Sequence, residues 1–473
     1  MDIRRLLVST ALYGIADVLV MAVGGFLLLP LYTRTLAQGE FGMYVAIRSN
    51  VEILTYLLYF GLPSAVARVY FDHRQLQRQG EYLSSIVNFF VIVLAGSCGV
   101  LWLWGPSLWN ALSPTTPAHP YLPYAVALAA VSFPAAIASL WLRMESRPLA
   151  MVAMQLGASA VLAALAAFNL LVLDAGLPGL LVALLASAAV PAAALAWLFG
   201  RSYRPVIRRA HVTESLRYAL PILLGYISYF VLNRLSTLIL QRHVPIEDLA
   251  VYGLAQQLSM IVALAGTSFG MALQPAVFGA QPADALDIIQ RTGRVLLVLM
   301  FGVTSALMLF ADDLFAFVAP SSYGDGHTVL LLLVVANFTN AFTLMSDTAL
   351  LYHRRPKTSV AISMVGAVAS AALGFWLIPR YQLHGAALSV VGAFVIRMLI
   401  SHWMAWRVTG YAYVGPMLGA MAAVSALAWA TGWIGFAALP EIAPAGVKAG
   451  LGALILLTTY YLYRRLHSTP CVK

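Results

Sequence analysis

The sequence predicts an all-α integral membrane protein of about fourteen transmembrane helices, and three observations predict it. Of 473 residues, 61% are hydrophobic and only 10% charged, where a soluble domain carries about a quarter charged residues. The mean hydropathy is +0.85. Apolar runs of about twenty residues, the length that crosses roughly 30 Å of hydrocarbon, recur from end to end and leave no room for a large soluble domain. Basic residues crowd into alternate loops, about 21 Lys or Arg on one side against about four on the other. That bias puts the basic side and both termini in the cytoplasm, and it accounts for the net charge of +10 without nucleic acid.

The chain opens MDIRR and runs apolar to about residue 31, too long for a signal-peptide core and without a small-residue cleavage site, so it reads as a first retained span over about 8–31. Further spans fall at about 41–62, 83–104, 121–142, 149–173 and 177–199, which complete a six-helix bundle over 1–200. Residues 201–217, RSYRPVIRRAHVTESLR, form a basic cytoplasmic linker, either a topology determinant lying near the lipid surface or a binder of anionic headgroups. Spans at about 216–240, 249–275, 293–311, 327–351, 358–378 and 384–406 make a second six-helix bundle over 218–408. Residues 409–473 add two extra spans, about 412–436 and 443–463, and a cytoplasmic tail.

The two halves share a repeat. TRTLAQGEFGMY at 33–44 and QRHVPIEDLAVY at 241–252 both carry Arg, an acid six residues on and Tyr four further, at an offset of 208 residues. Both join one apolar span to the next at the corresponding place, as parallel repeats about the membrane normal do. Under that offset Arg48 maps to Gln256, so the second half offers a neutral amide where the first offers a cation. Candidate bending points are Pro30, Pro134, Pro191, Pro221 and Pro275, with Gly24, Gly25 and Gly225.

Ionisable residues inside spans carry the functional signal, because a charge in hydrocarbon costs at least about 2.5 kcal/mol unless it faces protein or water. At helical spacing Tyr44, Arg48, Glu52, Thr55 and Tyr59 make a wet face on the second span, which predicts a water-accessible cavity; Arg48 and Glu52 are either functional or a neutralising pair. In the second half Arg234 sits among Asn233, Ser236 and Thr237, and Gln256 follows Tyr252 by one turn. Arg397 either faces the interior or snorkels. Candidate substrate-binding residues are therefore Arg48, Arg234, Tyr44, Tyr59, Asn233, Gln256 and Arg397. Candidate ion-coupling residues are Asp17, Glu52 and Asp347, although Asp17 equally suits a pair with an arginine on a neighbouring helix and Asp347 lies near the headgroups.

Absences narrow the chemistry. None of the three lysines, Lys357, Lys448 and Lys473, completes a P-loop, and no metalloprotease or nucleophile-elbow motif occurs. Cys98 and Cys471 give neither a disulfide framework nor a metal or redox motif, so no cofactor or metal is expected. No outer loop exceeds about sixteen residues, too little for the sizeable catalytic loop of a membrane glycan polymerase or ligase, so no enzyme is expected.

PLYTRTLAQGEFGMY, with Pro30, Arg34, Phe41, Gly42 and Tyr44, and then FGLPSAVARVY, with Gly61, Leu62, Ala65 and Arg68, resemble the polysaccharide transporter branch of the multidrug, oligosaccharidyl-lipid and polysaccharide flippase superfamily. YALPILLGYISYFVLNRLSTLIL resembles the corresponding span of the second half, although Ser236 stands where members often have aspartate and Ala250 replaces a usual glycine. The resemblance implies two pseudo-symmetric bundles around a central cavity, moving an undecaprenyl-diphosphate-linked oligosaccharide, an O-antigen, exopolysaccharide or capsule unit, to the outer leaflet of the bacterial inner membrane. It also implies work beside other polysaccharide-assembly proteins. The alternative is a proton- or sodium-coupled multidrug exporter of the same superfamily, for which an acid-dominated pocket is expected.

Overall fold

The computed structural model describes residues 23–75, 79–278, 281–324, 326–410 and 419. Asp17, most of the first span, and the two C-terminal spans lie outside the described residues. What is described is helical: Leu29–Thr35 (α1), Gln38–Tyr59 (α2), Leu62–Gln75 (α3), Gln79–Leu112 (α4), Ala118–Met144 (α5), Pro148–Ala167 (α6), Gly176–Phe199 (α7), Arg209–Leu240 (α8), Ile246–Phe278 (α9), Pro282–Leu309 (α10), Ala311–Val318 (α11), Gly326–Tyr352 (α12) and Pro356–Thr409 (α13). Among the described residues nine helices are long and apolar enough to cross a membrane, or ten when the bent pair Gln38–Tyr59 and Leu62–Tyr70 is taken as one span.

The second to twelfth expected spans all fall on helix. At about 1.5 Å per residue the 54 residues of α13 are twice too long for one crossing, and the chain breaks at Gln382, where φ is 47° and ψ −120°. Those two runs correspond to the expected spans at 358–378 and 384–406. A Cβ on Gly385 would lie 2.3 Å from the Leu377 carbonyl oxygen, so only glycine fits where the chain folds back.

The second break lies between α2 and α3. Phe60 and Gly61 both have positive φ, 48° and 71°, and the two helices diverge by 45°. A Cβ on Gly61 would lie 2.8 Å from the Ala219 carbonyl oxygen of α8. The expected bending prolines lie elsewhere: Pro134, Pro191 and Pro221 sit inside continuous helices, and Pro30 sits in the first turn of α1, where its missing N–H costs nothing. Gly24 and Gly25 belong to a π-helical turn, Val23–Leu27.

The described residues group into two units. One comprises those within Met1–Phe230 together with Val244–Ala250, and the other Val231–His243 together with the described residues from Val251 onward. The division falls inside α8 and α9, whereas the sequence places it in the linker. The reason is packing: Tyr226 of α8 stacks on Tyr56 of α2 at 5.7 Å, and Ser215 meets the Tyr82 hydroxyl at 2.9 Å, which ties the first turns of α8 to the first unit.

Within the first unit the core is aromatic and aliphatic. Phe90 of α4 and Phe133 of α5 stack at 3.8 Å, and Leu62, Val66, Ile86, Ile137 and Met151 close around them. The two repeat copies meet here. Gly39 and Gly42 of α2 face Ile246 and Glu247, and the Gln38 amide donates to the Glu247 carbonyl at 3.1 Å.

Candidate functional site

Helix α2 carries the first polar stripe. Its start is held by Glu40, whose carboxylate accepts the Ala37 N–H at 3.2 Å and the Leu177 N–H of α7 at 3.3 Å, so one side chain serves two helix N-termini. One turn on, Tyr44 is buried between Tyr32 and Phe41, with ring centroids 6.0 and 5.7 Å away. Its hydroxyl accepts a 2.8 Å hydrogen bond from Arg48 Nη1. Arg48 keeps an exposed surface, and the buried phenol fixes where its guanidinium points.

Next along the helix, the half-buried Glu52 accepts the Tyr56 hydroxyl at 3.3 Å. Hydrogen bonds along the helix thus join Tyr44 to Arg48 and Glu52 to Tyr56. Tyr59, expected on the same wet face, turns instead into the core, edge-on to Phe133 at 5.1 Å and to Phe90 at 6.2 Å. Helical spacing places it near the boundary between faces, and the aromatic pair on α4 and α5 draws it inward.

The second unit brings three expected residues together. Arg234 Nη1 donates to Gln256 Oε1 at 2.8 Å, and Gln256 Nε2 donates to the Asn233 carbonyl at 2.9 Å. Tyr252, the repeat partner of Tyr44, meets Ser236 Oγ at 3.0 Å. Gln256, the repeat partner of Arg48, therefore holds a guanidinium supplied by α8. Ser236 and Tyr252 thus form a hydroxyl pair at this position.

A third cluster joins α12 to α13. Arg397 donates through Nη1 to Asn340 Oδ1 at 2.7 Å and Thr343 Oγ1 at 3.1 Å, and through Nη2 to Asp347 Oδ2 at 2.9 Å. The other oxygen of Asp347 accepts Ser359 Oγ at 3.1 Å and Ser401 Oγ at 3.4 Å. The two charged side chains are 14% and 18% exposed. Arg397 and Asp347 form a mutual ion pair, since ions shielded from water need a partner. Gly366 makes the room: a Cβ there would sit 3.1 Å from that of Arg397.

Sequence reasoning missed Asn340, Thr343, Ser359 and Ser401 as partners of this pair. The spacing of Asn340, Thr343 and Asp347 on one helical face was the available signal. No local signal announces Ser359 or Ser401.

Residues 7–281, more than half of the chain, match the family model described as polysaccharide biosynthesis protein. The chain belongs to the polysaccharide biosynthesis protein family. Residues 221–376 of this family member also match the model named MatE. No curated protein matches the chain. Among solved structures, it is similar to the lipid II flippase MurJ in an inward closed conformation, with a TM-score of 0.74 at 11% identity, over 96% of this chain and 99% of that one. It is also similar to an inward-facing multidrug resistance MATE family transporter, with a TM-score of 0.61 at 18% identity over 90% and 98% of the chains. A third likeness is to a mutant of the Vibrio cholerae MATE transporter VcmN, with a TM-score of 0.61 at 14% identity over 85% and 96%. At these identities the likeness is one of fold. This polysaccharide biosynthesis family member is a multi-pass membrane protein with the fold of flippases and transporters of the multidrug, oligosaccharidyl-lipid and polysaccharide superfamily.

Proposed function

We propose that this protein is a flippase that carries an undecaprenyl-diphosphate-linked oligosaccharide from the inner to the outer leaflet of a bacterial cytoplasmic membrane by alternating access. The observation that carries the reading is Arg48: an arginine with an exposed surface on a membrane-length helix, its guanidinium aimed by the buried Tyr44 hydroxyl. A diphosphate needs planar, multidentate donors that stay charged at any physiological pH, and guanidinium is the side chain that supplies them. Arg234, with Gln256 and Asn233, supplies a second donor cluster. Asp17, Glu52 and Asp347 are the residues through which a proton or cation gradient drives the cycle. Both termini face the cytoplasm, and the cargo arrives from other polysaccharide-assembly proteins.

The MatE match over residues 221–376 favours a second reading, a proton- or sodium-coupled drug exporter. Deleting the gene separates the two. Loss of surface polysaccharide with its lipid-linked unit stranded inside supports the flippase, and intact polysaccharide with drug hypersensitivity supports the exporter.

A further inference from the structure

We infer that the segment from Tyr203 to Arg209 is a prebuilt docking strip for anionic phospholipid headgroups of the cytoplasmic leaflet. The segment is pinned by its backbone. The Arg204 N–H donates to Ser84 Oγ at 2.9 Å and the Arg208 N–H to Ser85 Oγ at 3.1 Å. Asn88 Nδ2 donates to the carbonyls of Arg204 at 3.4 Å and Val206 at 3.1 Å, and its Oδ1 accepts the Tyr203 hydroxyl. Arg208 pairs with Glu81.

With main-chain groups of three alternate residues turned to α4, the side chains are left outward. Every residue from 202 to 210 is exposed, so Tyr203 at 42% and Ile207 at 46% stand beside Arg204, Arg208 and Arg209. Aromatic and aliphatic side chains interleaved with guanidiniums suit a surface that is apolar below and anionic above. Depth is set by two neighbouring faces. Asn88, which holds the strip, lies one turn before Val91 and Ile92 of α4, which are 54% and 56% exposed. On α8, Arg217 is exposed one turn before the exposed Leu220 and Leu224. Both faces pass from polar to apolar beside the strip, which places it at headgroup level on the side that the charge asymmetry assigns to the cytoplasm.

The test uses the purified full-length protein. Binding of phosphatidylglycerol is titrated in a neutral detergent, with phosphatidylcholine and inorganic phosphate as separate arms. Phosphatidylglycerol is expected to bind and the other two are not, and the double variant Arg204→Gln, Arg209→Gln is expected to lose about twenty-five-fold in affinity. Equal affinity of the variant overturns the inference, as does displacement of the lipid by millimolar phosphate, which would mark a soluble-anion site. A second measurement needs no variant. In nanodiscs, tryptic cleavage after Arg208 and Arg209 is expected to slow several-fold when phosphatidylglycerol replaces part of the phosphatidylcholine, and identical rates in the two bilayers would also refute it.

Discussion

Arg48 and Arg397 are both arginines within spans, yet their surroundings assign them different work. Arg48 gives one N–H of a five-donor fork to a neutral phenol and remains exposed, whereas Arg397 sits among an amide, a hydroxyl and a carboxylate. Arg48→Ala should therefore abolish glycan export while leaving membrane insertion and melting temperature near those of the parent; export at the parent rate would reduce Arg48 to a structural ion. Arg397→Ala should instead strand Asp347 and cost about 3 kcal/mol, read as a fall in melting temperature in detergent. Pairing it with Asp347→Ala should recover much of that loss, because no charge is then left without a counterion. Helical spacing made Tyr44, Arg48 and Glu52 legible as one stripe. It did not reveal the Asp347 to Arg397 pair, since residues fifty apart carry no mark of which helices become neighbours.

At the scale of elements, the helix starts and close approaches of the first unit are written in small residues and one acid. A Cβ on Gly42 would lie 2.0 Å from the Ile246 carbonyl oxygen, a main-chain atom that cannot swing aside. Gly42→Ala should thus push α2 away from the second repeat copy and cost about 1–3 kcal/mol, seen as reduced thermal stability. Glu40→Ala removes acceptors from two helix N-termini and should cost about 2 kcal/mol by the same assay, while Glu40→Gln should lose only part of that, because one acceptor oxygen remains. The repeat itself was visible as Arg, acid and Tyr at matched spacing. What spacing could not convey is that the copies pack against one another, or that Arg234 arrives from α8 to meet Gln256. The prolines inside spans sit within continuous helices, whereas the breaks at Phe60 and Gln382 come from backbone torsions that side-chain chemistry only weakly announces.

For the whole molecule, hydrophobic length translated directly into helices, since a run of about twenty apolar residues has few other stable outcomes. Family membership and the flippase and transporter fold agree with that reading. The grouping into units was less legible: α8 and α9 each divide between them, and no punctuation in the chain marks the point. Deletion of the gene is expected to halt surface polysaccharide and accumulate its lipid-linked unit in the inner leaflet, measured by extracting labelled lipid intermediates. Complementation by the Arg48→Ala chain should fail despite normal expression.

The left-handed step at Phe60 and Gly61 has a further consequence. Two such residues in succession turn the carbonyls ending α2 out of line with the amides that begin α3. Oxygens misaligned in this way are tolerated at membrane depth only against protein or water. The joint therefore needs a sheath of protein, and α8 supplies it: Gly61 is buried against the Ala219 carbonyl, on the helix that stacks Tyr226 on Tyr56.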